Sequence, residues 1–267
     1  LFQGRIGGIV EVYNMDTKDL LIQRSIPIMT GYQSVWSNLG QVNNRGIELT
    51  FNTINVQSSR FEWSSDFVFS HNRNKIVSIY GPDSDGIEHD DIGNNWFIGH
   101  PINVYYDYVF DGIYQIGDDI PEGFQPGFVR FKDLNGDGEI DAANDRTIIG
   151  QGSEPKYRWG LTNTFSYGNF QASVFINAMQ GWIATFNELN HAHGGMSPIR
   201  PANRVDTGWW TEENRSNTRP SLVYSSGALG HSFYVSRNFI RIQDVYMRYS
   251  MPQSVITKLG VSDMSIY

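Results

Sequence analysis

The chain contains no cysteine, so neither a disulfide nor a thiolate metal site can contribute to its fold. Nowhere in its 267 residues does an apolar run approach the ~18 to 20 residues that a membrane-spanning helix requires, and no charged-then-apolar leader opens it. Charge is sparse and of the wrong sign for nucleic acid: 18% of residues are charged and the formal net charge is −8, which removes the electrostatic basis for gripping a phosphate backbone. A phosphate-cradling loop is missing too, because GRIGG at 4 to 8 sits in a strand pattern with no helix or lysine behind it. A helical membrane protein is therefore excluded and a nucleic-acid binder is not expected. A membrane β-barrel stays open, since its strands need only about 9 to 11 alternating residues.

What the chain does contain is glycine and aromatics: 27 Gly, 14 Tyr, 16 Phe and 7 Trp. That balance favours many aromatic strands joined by glycine-marked turns, an all-β fold. In NRGIELTFN (44 to 52) Ile47, Leu49 and Phe51 share one face, and in FEWSSDFVFSHN (61 to 72) Phe61, Trp63, Phe67 and Phe69 do the same. A second hairpin repeats the plan, with Tyr157, Trp159, Leu161, Phe165 and Tyr167 going out, a turn at Gly168 and Asn169, and Phe170, Ala172, Val174, Ile176 and Ala178 returning. These strands outrun the usual five or six residues of soluble sheets. Further strands are expected at 4 to 14, 239 to 250 and in the last residues, with one helical turn opened by Pro252 and closed by Gly260.

The connections are unequal: those at 53 to 60 and 168 to 169 are short, those at 73 to 154 and 182 to 236 long. An outer-membrane barrel has this asymmetry, with short turns periplasmic and long loops outside. A soluble β-sandwich with elaborated loops would alternate in the same way, so periodicity alone does not choose between them.

The long loops hold the candidate chemistry. In DLNGDGEID (133 to 141) Asp133, Asn135, Asp137, the Glu139 carbonyl and Asp141 fall at the ligand positions of a calcium loop, with Gly138 at its sharp turn. The twelfth position is Asn144 rather than a bidentate Glu, which either lowers affinity or shifts the last ligand to Asp145. The expected cofactor is a structural Ca2+, and the alternative is a metal-free Asx-rich turn. Asp83, Asp85, Glu88, Asp90 and Asp91 read as a solvated acidic loop, and His191 and His193 lack a third metal ligand. No carboxylate pair is placed for catalysis, so no catalytic residue is assigned. Trp36, Trp96, Trp182, Trp209, Trp210 and Tyr224 offer flat rings for substrate binding, against the plainer reading that they pack the loops.

One stretch is specific beyond its pattern. NLGQVNNRGIELTFN (38 to 52) resembles the N-x-G-x-x-x-N-R-G-I/V-E-L signature of SusC/RagA-like TonB-dependent outer-membrane transporters. The likeness continues in the family's order through 4 to 21, 61 to 76, FDGIYQ (110 to 115), 132 to 150, 155 to 181 and 238 to 253. It implies that residues 1 to 267 are about seven strands of a large antiparallel transmembrane β-barrel, with extracellular loop regions at 82 to 154 and 182 to 236 and with the plug and closing strands absent. It also implies TonB-dependent import of an oligosaccharide or peptide, glycan uptake being one form. The implied partners are a SusD-like surface lipoprotein, the TonB complex and outer-membrane lipid, in the outer membrane of a Gram-negative bacterium. Within that reading Glu48, Asn52, Glu62, Asp66 and Asn163 face the lumen, while Tyr157, Trp159, Phe165 and Tyr167 face lipid. The alternative is a calcium-stabilised secreted carbohydrate-binding β domain, whose apolar faces would meet in a closed core.

Overall fold

The computed structural model describes residues 2–25, 29, 31, 34–152, 154–186, 208–221 and 232–267. They form two compact units, one built from 1–102, 154–181 and 237–267, the other from 103–153 and 182–236.

The first unit is an antiparallel sheet of seven strands: β1 (Ile6–Ser25), β2 (Ser34–Gln57), β3 (Phe61–Ser78), β8 (Tyr157–Tyr167), β9 (Phe170–Gln180), β12 (Phe239–Ser250) and β13 (Ser265–Ile266). The intervening numbers belong to the second unit. The order is β1-β2-β3-β8-β9-β12-β13, so each strand pairs with the next one of the sheet along the chain, an up-and-down meander. Two tight turns fix it. At 58 to 60 the Ser58 N–H donates to the Phe61 carbonyl at 2.8 Å and the Ser58 hydroxyl accepts from the Phe61 N–H at 3.0 Å. At 168 to 169 the turn uses a left-handed Gly168, φ 56°. Between β12 and β13 lies a helix, α1 (Gln253–Leu259), preceded by Pro252 and closed by Gly260 in the left-handed conformation, as the sequence indicates.

Alternation runs through most of each strand and is reset at bulges. An extra residue, Asn55, interrupts β2 between Ile54 and Val56, and Gln243 does the same in β12 between Ile242 and Asp244. Each insertion moves the next side chains to the opposite parity, so the apolar face continues from Ile242 to Val245 rather than to Asp244. The strands β1 and β2 reach well past 4 to 14 and 44 to 52. The upper part of β1 breaks register between Thr17 and Leu20, where Asp19 has a φ of 56°.

Little of this sheet is buried. Among the described residues, only Val42, Ile76 and Ala178 of the buried hydrophobics belong to it, whereas Val12 is 77% exposed and Ile242 66%. A sandwich requires its apolar faces to meet and disappear from solvent; here the apolar residues of the sheet remain at the surface.

The second unit has its own core. Strands β4 (Val104–Tyr108) and β7 (Arg146–Gln151), β5 (Phe110–Ile113) and β6 (Val129–Phe131), and β10 (Ile183–Thr185) and β11 (Tyr234–Ser236) form three two-stranded ribbons. They enclose Tyr108, Ile113, Val129, Phe131, Trp210 and Phe233, with Phe110, Phe124, Ile140 and Phe186 packed around them. The stretch 208 to 221 is tied in by polar contacts: Asn217 Oδ1 accepts the Ile113 N–H at 3.0 Å and the Trp210 indole donates to Gln115 Oε1 at 3.0 Å.

Candidate functional site

The sheet presents two chemically different faces. Across six strands the registers align Val10, Leu49, Phe69, Trp159, Ala178 and Ile240, and one step nearer the short turns Gly8, Phe51, Phe67, Leu161, Ile176 and Ile242. Aromatics edge this band at both ends. At the turns stand Phe61, Tyr167, Phe170 and Tyr249, with Trp63 and Phe165 stacked at 5.8 Å beside them. At the other end His71 and Tyr157 stack at 4.7 Å. Strand β8 climbs about 33 Å from Tyr157 to Tyr167, which at a barrel's strand tilt projects to about 25 Å, the height of a lipid-facing band with aromatic girdles.

The opposite face is polar. It aligns Glu11, Glu48, Ser70 and Arg158 in one row, which ends on Met179 and Phe239, and Asn52, Asp66, Thr162 and Asp244 in another, with Phe175 between the last two; the Asn52 amide donates to Asp66 Oδ1 at 2.6 Å. Glu11 and Glu48 stand directly opposite each other and are exposed. Like charges so placed cost stability, and wet surroundings make the placement tolerable. Gly46 supports this face from within. A Cβ there would run into the Tyr13 ring and the His71 carbonyl, so the glycine lets Tyr13 lie across the sheet and reach Asn72 Oδ1 at 3.3 Å.

Glu48, Asn52, Glu62 and Asp66 lie on the polar face, as their parity requires; Asn163 does not. Its register places it between Ser65 and Val174 on the apolar face, where its Oδ1 accepts from the Trp63 indole at 2.9 Å and the Ser65 hydroxyl at 2.7 Å. Polarity suggested the lumen for this residue, but alternation decides its side.

At the upper end of the long strands Trp36 and Trp96 line one cleft of about 730 Å³, together with Gln23, Ser34 and Asn94. Trp36 is 62% exposed. The segment that carries Trp96 folds back on β3, with the Ile76 N–H donating to the His100 carbonyl at 2.9 Å and the Gly99 N–H to the Ile76 carbonyl at 2.9 Å. Its acidic residues build the loop, with Asp83, Asp85 and Asp90 still exposed to solvent and Glu88 and Asp91 partly buried. Glu88 Oε1 accepts the N–H groups of Ile79 and Gly81 and the Ser78 hydroxyl, Asp90 accepts from the Ile98 N–H, and Asp91 holds the Tyr80 hydroxyl and Asn94. Burial alone would raise the Glu88 carboxyl, yet these donors outweigh it and hold it below its ordinary range.

In the second unit the loop at 133 to 145 is closed on its own amides. Asp133 accepts from the N–H groups of Gly136 at 2.5 Å and Gly138 at 2.8 Å, and these donors hold its carboxyl below the ordinary range. Asp137 Oδ1 accepts from the Glu139 N–H, and Asn135 Nδ2 donates to Asp137 Oδ2. Gly138 has a φ of 84°, so the sharp turn needs it. Asp145 is fully buried, its two oxygens accepting from the N–H groups of Leu134 and Asp141 at 2.8 Å each. It staples the two ends of the loop together. Oxygen type and spacing suit a hard cation, but among the described residues no group of three or more His, Asp or Glu side chains converges to hold one. A bound ion would draw on Asp133, Asn135, Asp137, Asp141 and the Glu139 carbonyl.

The aromatic candidates separate. Trp209 is 44% exposed and Trp182 partly so, whereas Trp210 is 7% exposed and packs against Gly127 in the core, which gives it a structural place. Tyr224, His191 and His193 lie outside the described residues. Sequence reasoning had no signal for Asp107. This buried carboxylate accepts from the Tyr234 hydroxyl at 2.7 Å, and burial first, then this bond, raises the Tyr234 phenol well above its ordinary value.

No family model matches the chain. Over its whole length it is 29% identical to TonB-dependent receptor P3 and 30% identical to TonB-dependent receptor P26, both of Formosa agariphila, and covers 27% and 28% of them. It is 26% identical over 92% of its length to TonB-dependent receptor SusC of Bacteroides thetaiotaomicron, of which it covers 24%. Among solved structures it superposes on a chain of the RagAB peptide transporter with a TM-score of 0.68 at 20% identity, covering 96% of this chain and 28% of that one. The chain thus spans about a quarter of the length of the relatives it matches, and its fold is that of a segment of a large antiparallel transmembrane β-barrel.

Proposed function

We propose that this SusC/RagA-like stretch of a TonB-dependent receptor is part of the wall and rim of an outer-membrane barrel that imports a macronutrient, without altering it, on energy delivered by the TonB complex. The observation that carries the reading is the two-faced sheet: an uncovered apolar band edged by aromatics on one side and carboxylates, amides and guanidinium groups on the other. Lipid covers the first face and a water-filled passage the second. The secreted binding-domain alternative asks for a closed core between apolar faces, and the exposed valines and isoleucines of β1 and β12 speak against it.

The finer assignments belong to the same proposal. The cargo is an oligosaccharide or a peptide; the relatives include a SusC receptor and a peptide transporter. Trp36 and Trp96 in their shared cleft, and Trp182 and Trp209 in the second unit, supply stacking surfaces for it. A SusD-like lipoprotein at the rim is the partner, and a structural calcium ion steadies the loop at 133 to 141. The test is uptake of labelled oligosaccharides and peptides by cells carrying the full-length receptor, against cells lacking it or lacking TonB. Loss of uptake of one cargo class in both deletions is expected. Undiminished uptake without TonB, or a receptor that stays in solution without detergent, sinks the reading.

A further inference from the structure

Resting on the barrel reading above, we propose that Arg45, Arg73 and Lys75 form a binding site for the phosphate groups of the glycolipid in the outer leaflet, on the outer face of the wall just beyond its upper aromatic belt.

The registers place these residues. Ile47, His71 and Tyr157 make one row of the apolar face. Side chains two residues apart share a face, so the next row up on that face has Arg45 directly opposite Arg73, with Asn14 beside Arg45 on β1. The row above has Lys75 opposite Asn43, with Asp16 on β1. The polar face at this height is occupied by Gly46, Asn44, Asn72 and Asn74 instead, so the three cations are turned away from the passage and cannot serve its cargo.

Their electrostatics are unfinished. Arg45 and Arg73 are exposed, and no ion pair engages Arg45, Arg73 or Lys75 among the described residues. The carboxylate in the patch, Asp16, accepts from the Asn43 amide at 2.9 Å, and that amide also donates to Asn14 Oδ1 at 2.7 Å. Two guanidinium groups directly across a strand pair repel, and the chain keeps them where an acidic neighbour would relieve the strain. An anion supplied from outside the protein would do the same.

Depth identifies that anion. One row of side chains is two residues, about 5 Å of height at barrel tilt, so the arginines sit just above the His71 and Tyr157 belt. Aromatic belts lie at headgroup level, which is where the phosphates of an outer-leaflet glycolipid are found. The guanidinium fork suits phosphate oxygens in pairs, and the lysine adds a point charge.

The test is native mass spectrometry of the full-length receptor in detergent, incubated with purified lipid A or with the same lipid after removal of its phosphates. The receptor is expected to retain the phosphorylated form preferentially, and to lose about fivefold of that preference for each cation neutralised in Arg45→Gln, Arg73→Gln and Lys75→Gln. Arg45→Lys with Arg73→Lys should keep most of it. Heat-modifiable mobility on gels shows that each variant is a folded barrel. Equal retention of the two lipids, or a preference that survives the triple variant, overturns the proposal. A folded, detergent-dependent barrel blind to phosphate removes this site alone, whereas a receptor soluble without detergent removes the barrel reading as well.

Discussion

Replacing Asp145 by Asn tests whether the loop at 133 to 145 is held shut from inside. The wild-type carboxylate is fully buried and gives one oxygen to the Leu134 N–H and the other to the Asp141 N–H, both at 2.8 Å. Asparagine has the same shape but one acceptor, so one of the two amides is left facing an NH2 group. A buried donor stranded in this way costs about 1 to 3 kcal/mol, and the surviving bond loses its charge assistance. Taking about 2 kcal/mol for the local opening gives exchange of the amides in 133 to 141 about 30-fold faster. Hydrogen exchange read by mass spectrometry on the full-length protein resolves that change. Asp137→Asn, on the exposed side of the same loop, should change exchange by less than about threefold, since Asn can still accept from the Glu139 N–H. Unchanged exchange in the Asp145 variant, or an equal effect from both, would refute the view that the buried carboxylate is the staple.

Further expectations concern other parts of the chain. Leu161→Arg, in the middle of the apolar band, should cost about 2 to 4 kcal/mol and lower the folded fraction in outer membranes, whereas Thr162→Arg on the polar face should fold normally by heat-modifiable mobility. The turns at 79 to 98 should loosen in acid. Asp83 is held below the ordinary range by His89 first and then by the amides of Asp85 and Ile87, and Asp91 by the Tyr80 hydroxyl and Asn94 against the opposing effect of burial. Depressed carboxyls give stability that is complete above their ordinary values, about pH 4, and is lost as pH falls through the lowered ones. Hydrogen exchange of 79 to 98 between pH 6 and 3 should accelerate only at the acid end, and loosening that begins near neutrality would point to another group. Terbium luminescence sensitised by nearby aromatics should report an ion at 133 to 141 and vanish in Asp133→Asn with Asp137→Asn; a signal that survives both changes places the ion elsewhere.

Much of the wall was legible because alternation is a local property. Leu49, Phe51, Phe67, Phe69, Trp159, Leu161 and Ile176 declare one face by their spacing, and the registers put them there. The reading weakened where the period is broken by geometry. Thr17 to Leu21 places Leu20 beside Leu21 around a left-handed Asp19, so the upper part of β1 does not look like a strand. Asn55 and Gln243 shift parity without any change in residue type. Asn163 misled in the opposite way, since its chemistry points to water while its register puts it among apolar neighbours, with the Trp63 indole and Ser65 hydroxyl to satisfy its oxygen. The loops were less readable for a physical reason. Whether a carboxylate meets a cation or a backbone amide depends on contacts such as Glu88 with Ile79 and Gly81, or Asp145 with Leu134, which only the folded chain defines.

The long register of β1 on β2, from Ile6 opposite Thr53 to Ser25 opposite Ser34, has a mechanical meaning. A force along the strand axis loads those backbone bonds side by side and must shear many of them together, whereas a force across the sheet opens them one after another from an end. The same two strands are the ones that continue far beyond the aromatic belt. A pull on this tall part of the sheet along the strands therefore works against its stiffest axis, and the load is spread down the strands instead of concentrating in the loop that was grasped.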